Sequence, residues 1–119
     1  MAKQRSTAGQ IPVRKSPEAL AMIHRERLEE IVAAAEAAAR ELCDSGIPID
    51  RVDVERMTDP EIEDLELLGF TVWVPESAVG EASAAWRRLL NLVRARISHL
   101  GPEETHKLSE LVSIGVDVE

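Results

Sequence analysis

The sequence predicts an α+β fold, and three observations carry that expectation. Leu20, Ile23, Leu28, Ile31, Ala35, Ala38 and Leu42 recur at three- and four-residue spacing, with one five-residue step from Ile23 to Leu28, close to the period of an amphipathic helix. Val52 and Val54, then Phe70, Val72 and Val74, alternate with period two on either side of an acidic turn, as the strands of an antiparallel hairpin do. Val79, Ala82, Trp86, Leu89, Leu90, Val93, Ile97 and Leu100 then return to the helical period.

Taken in order, Met1 to Lys15 shows no periodicity and mixes small, polar and basic residues, so residues 1–15 are expected to form a flexible basic arm ahead of a single α+β domain over 16–119. Ser16-Pro17-Glu18 has the form of a helix start: a serine cap, a proline where no amide donor is lost, and a carboxylate at the positive end of the helix dipole. The helix is expected to run to about Cys43, where Gly46 suits a left-handed terminus and Pro48 blocks continuation. At about 28 residues it spans roughly 42 Å, longer than a domain with a radius of gyration near 13–14 Å needs. Part of it is therefore expected to pack outside its own chain.

Strand one is expected from Arg51 to Met57 and strand two from Leu65 to Val74, with Thr58-Asp59-Pro60-Glu61 supplying turn chemistry between them. A lone hairpin is marginal in water, so it must lie against helices or pair with another sheet. Ser77 is a candidate cap for the second helix. Gly101-Pro102 ends that helix and opens a third, short one carrying Leu108, Leu111 and Val112, which Gly115 is expected to close. The tail Val116-Asp117-Val118-Glu119 repeats the VDVE of Val52 to Glu55. Four residues are too few to define a repeat, but the tail is a candidate extra strand.

The 119 residues carry a net charge of −8, with 45% hydrophobic and only 3% aromatic residues. The core must come from Leu, Val, Ile and Ala. An acidic body opposes wholesale binding to a polyanion. The charge is uneven, however: Lys3, Arg5, Arg14 and Lys15 lie in the first 15 residues with no acid among them. These four are the candidate nucleic-acid contacts, and a nucleic-acid partner is not the favoured one. The single cysteine, Cys43, cannot close an internal disulfide, no apolar run is long enough to cross a membrane, and the basic N-terminus lacks the apolar stretch of a secretory signal. A cytoplasmic location is expected, with no membrane partner.

No constellation dictates a reaction. Asp59, Glu61, Glu63, Asp64 and Glu66 cluster in the turn, but the segment lacks the alternate carboxylates and glycine of a calcium loop. His24, His99 and His106 have no zinc-ligand spacing, and Cys43 lies near a helix C-terminus, where the dipole disfavours a thiolate. The dispersed glycines form no phosphate loop. Neither metal, cofactor nor catalytic residue is expected.

The leading expectation is a small, non-enzymatic interaction or regulatory module acting as a homodimer, with a second protein partner open to it. Its candidate contact residues are Phe70, Val72 and Trp73 on the hairpin and Arg87, Asn91 and Arg94 on one face of the second helix. Trp73 alternates with Phe70 and Val72, so one of the two sets faces away from the helices unless the sheet is covered on both sides. Two alternatives stand beside this one: an antitoxin-like nucleic-acid-associated regulator using the basic arm, and an enzyme with a carboxylate site on the hairpin.

Overall fold

The computed structural model describes residues 11–58, 61–62 and 65–119. The elements run β1 (Val13–Lys15), α1 (Pro17–Glu26), α2 (Glu29–Asp44), β2 (Arg51–Thr58), β3 (Glu66–Val74), a 3-10 turn (Glu76–Glu81), α3 (Ala82–Ser98), α4 (Pro102–Leu111) and β4 (Val112–Val118). The α+β class stands, with four helices and one mixed sheet. Strand order is β1-β2-β3-β4: the central hairpin β2/β3 is antiparallel, and each outer strand runs parallel to its neighbour.

The long first helix is corrected to two helices. Ser16 caps α1 as expected, accepting from the Ala19 amide at 3.1 Å. After Glu26 the chain turns at Arg27, which takes left-handed angles (φ 56°, ψ 56°), while the Leu28 amide donates to Ile23 O and the Arg27 amide to His24 O. This is a Schellman-type end with arginine in the place usually held by glycine. Leu28, fully buried, is the hydrophobic anchor that closes it. With the rod broken at Arg27, the radius of gyration is 14.4 Å, close to the roughly 13.5 Å expected for this length. The argument that surplus helix requires a partner therefore falls away.

Three further expectations are corrected. Val13–Lys15, assigned to the arm, form β1, because Val13 packs at the core margin and the Val52 amide bonds to Pro12 O. The second helix starts at Ala82, after a 3-10 turn in which Ala78 has non-helical angles, so Ser77 is not its cap. Its buried stripe is Ala85, Leu89, Val93 and Ile97, leaving Val79, Trp86 and Leu100 exposed. Val112 and Gly115 belong to β4, which is longer than the expected tail strand.

All four helices cover one face of the sheet. Val52 and Val54 of β2, Leu68, Phe70, Val72 and Val74 of β3, and Ile114 of β4 point into them, and Leu28, Ile31, Leu42, Leu89 and Ile97 close the core from above. No polar side chain is buried with them among the described residues. The two crossovers, β1-α1-α2-β2 and β3-α3-α4-β4, both step the same way across the sheet on the same face, yet their strands run in opposite directions. One crossover is therefore left-handed, against the strong preference for right-handed connections.

Candidate functional site

Phe70 and Val72, expected at a partner contact, are 1% and 0% exposed in the chain's own core, because the strand face they share is the one the helices cover. No partner reaches them in this fold. Trp73 lies on the opposite, open face, half-buried.

Register arranges that open face in rows. Arg51, Trp73 and Asp117 form one; Arg14, Asp53, Thr71 and Gly115 the next; Glu55, Gly69 and Ser113 a third; Met57 and Leu67 the last. Arg51 stacks its guanidinium over Trp73, 4.7 Å from the ring centre, and also bonds Asp53 at 3.3 Å and Glu119. This cation–π cover removes much of the cost of leaving an indole on a wet sheet face. The Trp73 indole nitrogen nevertheless lies buried with no acceptor among the described residues. At the end of this row Asp50 and Glu119 share a hydrogen bond that raises the Asp50 carboxyl and lowers that of Glu119, with Arg51 adding to the second effect. The Glu119 carboxylate, foremost, also keeps Arg51 firmly protonated.

The basic candidates are already engaged. Arg14 bonds Asp53 at 3.3 Å and Lys15 bonds Glu36 at 2.9 Å, so a phosphate must compete with both carboxylates. Lys3 and Arg5 lie outside the described residues. On the hairpin, Glu66 is held between Arg25 (3.0 Å) and Arg56 (2.8 Å), whereas Asp59, Glu63 and Asp64 lie outside the described residues. Among the described residues no group of three His, Cys, Asp or Glu side chains is placed to hold a metal. Cys43 is half-buried, and that burial pushes its thiol up, although the Ile49 backbone partly offsets it.

The best-formed recognition geometry lies at the β4 edge, which the sequence pattern only half revealed. The Glu119 amide bonds Val74 O on β3, so residues of odd number in β4 direct their backbone polar groups inward. Val112, Ile114, Val116 and Val118 direct theirs off the sheet. Three of these outward groups are occupied: the Val112 amide by Leu108 O, Ile114 O by the Trp86 indole at 2.9 Å, and the Val118 amide by the Asp117 carboxylate at 2.9 Å. The amide and carbonyl of Val116 have no such partner among the described residues.

Beside this edge, α3, α4 and β4 enclose a groove of about 490 Å³ lined by Leu90, Arg94, Ser98, Thr105, Leu108, Ser109, Val112 and Ile114. Arg94 makes no ion pair or hydrogen bond among the described residues, and neither does Arg87, whereas Arg96 on the far side is paired with Glu41 at 3.0 Å. Asn91 is exposed on α3 but does not line the groove. The helix-face triad is thus divided, and only Arg94 reaches the groove. A larger cavity of about 700 Å³, lined by His24, Arg27, Glu29, Glu103 and Lys107 among others, lies where α4 meets the α1–α2 corner. It mixes acids with bases, and Lys107 is already bonded to Glu104 and to Arg27 O, both at 3.3 Å.

No helix is long and apolar enough to cross a membrane among the described residues. No family model, curated protein or solved structure matches this chain.

Proposed function

We propose that the protein is a non-enzymatic protein-binding module that accepts an extended segment of a partner along β4. The observation carrying this reading is the backbone of Val116, unpaired among the described residues, on a seven-residue edge strand. An exposed edge is a template for another strand, with main-chain bonds giving affinity and adjoining pockets giving selectivity. The opposite edge, β1, has three residues and offers little to pair with.

Self-pairing through β4 is disfavoured by charge. An antiparallel two-fold at Val116 sets Asp117 opposite Gly115 and diagonal to its own copy on one sheet face, a like-charge approach that weakens such a pair. The occupant is therefore a different chain. The test is amide hydrogen exchange during titration with short extended peptides of alternating valine and threonine. Slower exchange at Val116, abolished in Val116→Pro, is expected; unchanged exchange at Val116 at every peptide concentration refutes strand addition. Val116→Pro removes a donor that points away from β3, a position where an edge strand tolerates proline.

A homodimer remains a second reading, through the open sheet face instead of the edge. It is favoured by the half-buried Trp73, which lies on the sheet face that no helix covers.

A further inference from the structure

The groove between α3 and α4 is separate from the free rung of β4. The Trp86 indole crosses to Ile114 O; Val116 lies on one side of that contact and the groove on the other, toward Val112. A ligand of the groove is therefore distinct from a strand added at Val116.

The floor is apolar. Leu108 and Ile114 are buried, and Leu90 and Val112 pack half-buried at the margin of the core. Polar side chains stand at the rim, and two are already spent: the Ser98 and Thr105 hydroxyls donate to Ala95 O (2.7 Å) and Gly101 O (3.1 Å) of their own backbone. The side-chain donors left to a ligand are the Arg94 guanidinium and the Ser109 hydroxyl. No carboxylate lines the groove, whereas the other four cavities described all set acids beside their bases. In a chain of net charge −8, an acid-free groove holding one unpaired arginine is complementary to an anion with an apolar body. One guanidinium and one hydroxyl offset a single negative charge. A dianion such as a phosphate monoester leaves its second charge facing the acidic body.

Position along α3 sets the size of the apolar part. Arg94 lies one helical turn, about 6 Å, from Leu90 in one direction and from Ser98 in the other. Toward Ser98 and Thr105 the walls carry hydroxyls; toward Leu90 they are apolar as far as Val112 and Ile114. An anionic head at Arg94 therefore sends a short chain toward Leu90. The groove volume of about 490 Å³ falls within the roughly 300–1,000 Å³ of small-molecule sites.

We infer that the α3–α4 groove binds a small aliphatic monocarboxylate, its head held by Arg94 and Ser109 and its chain laid on Leu90, Val112 and Ile114. This site goes beyond the strand-addition reading and stands without it.

The experiment follows the amide resonances of Leu108, Ser109 and Val112 in the full chain during titration, at constant ionic strength, with hexanoate, hexan-1-ol and acetate. Hexanoate should bind at least fivefold tighter than either comparison compound, since acetate lacks the chain and the alcohol lacks the charge. Arg94→Gln should abolish the preference over hexan-1-ol without changing the fold, because Arg94 is exposed and unpaired. Arg87→Gln, also unpaired but outside the groove, should preserve it. A smaller preference over either compound, an equal effect of the two arginine substitutions, or no saturable shift at these amides up to the solubility of hexanoate overturns the inference and leaves strand addition at Val116 untouched.

Discussion

Arg27 occupies a backbone region that costs a residue with a Cβ about 1 kcal/mol or more, and it holds that conformation because Leu28 is buried immediately behind it. Its side chain makes no ion pair among the described residues. Glycine at this position relieves the strain but gains freedom in the unfolded chain. Arg27→Gly should therefore stabilise the protein by about 0.5 kcal/mol, read as a higher urea midpoint at unchanged slope. Phe70 is the opposite case: it fills the centre of the sheet's buried face, and Phe70→Ala should cost about 3–5 kcal/mol in the same measurement. The alternation of valines and Phe70 made the buried face readable from sequence alone. The break at Arg27 had one faint mark, the five-residue step from Ile23 to Leu28 in the apolar spacing, because the HRERLEE stretch has neither glycine nor proline to signal a stop. The energy that selects the kink comes from packing Leu28, and a single-helix pattern carries the same leucine.

Among the elements, β4 shows how an edge strand is partly shielded by its own chain. Trp86 covers Ile114 O and Asp117 covers the Val118 amide, which leaves Val116 as the accessible rung. Trp86→Phe should lower stability by about 1 kcal/mol, the usual worth of one such hydrogen bond, and should speed amide exchange within β4. Sequence pattern placed a strand only at Val116 to Glu119, because Ser113 and Gly115 interrupt the apolar run and Gly115 looked like a helix stop. What extends the strand to Val112 is pairing with β3 over seven positions, a long-range contact with no local signature. The same element carries a titrating contact at its end. Asp50, with its carboxyl raised by the bond to Glu119, contributes stability that is complete below its unfolded pKa and lost as pH rises through the folded value. Glu119, lowered chiefly by the Asp50 proton, contributes stability that is lost as pH falls through its own folded value. The two overlap only between those values. Because an amide keeps its donor at every pH, the stability of the wild-type protein relative to Asp50→Asn should fall as pH rises above about 4, the ordinary aspartate range, as thermal melts at several pH values would show.

For the molecule as a whole, the break between α1 and α2 lets both helices contribute to one core within the chain, and Arg51 covers Trp73, so oligomerisation is not needed to explain that core. The open-face homodimer is then a matter for solution mass. Light scattering should give 26 kDa, about twice the 13.1 kDa chain, if Trp73 lies in a subunit contact, and Trp73→Glu should return the mass to that of one chain. A wild-type mass of one chain across the micromolar range rules the open-face contact out. The element types and the single core were legible from hydrophobic period alone. Strand order and the opposite hands of the crossovers were not, since both depend on which neighbour each strand chooses.

That strand order has a practical consequence. The acidic connection between Thr58 and Glu66 divides the polypeptide into two segments of similar length, each a strand, a helix pair and a strand, and the eight-position pairing of β2 with β3 lies wholly between them. Neither fragment owns a complete interior. Cleaved at that connection or expressed as separate genes, the fragments should find each other and reconstitute the native spectrum, which would make the protein a ready scaffold for complementation reporters.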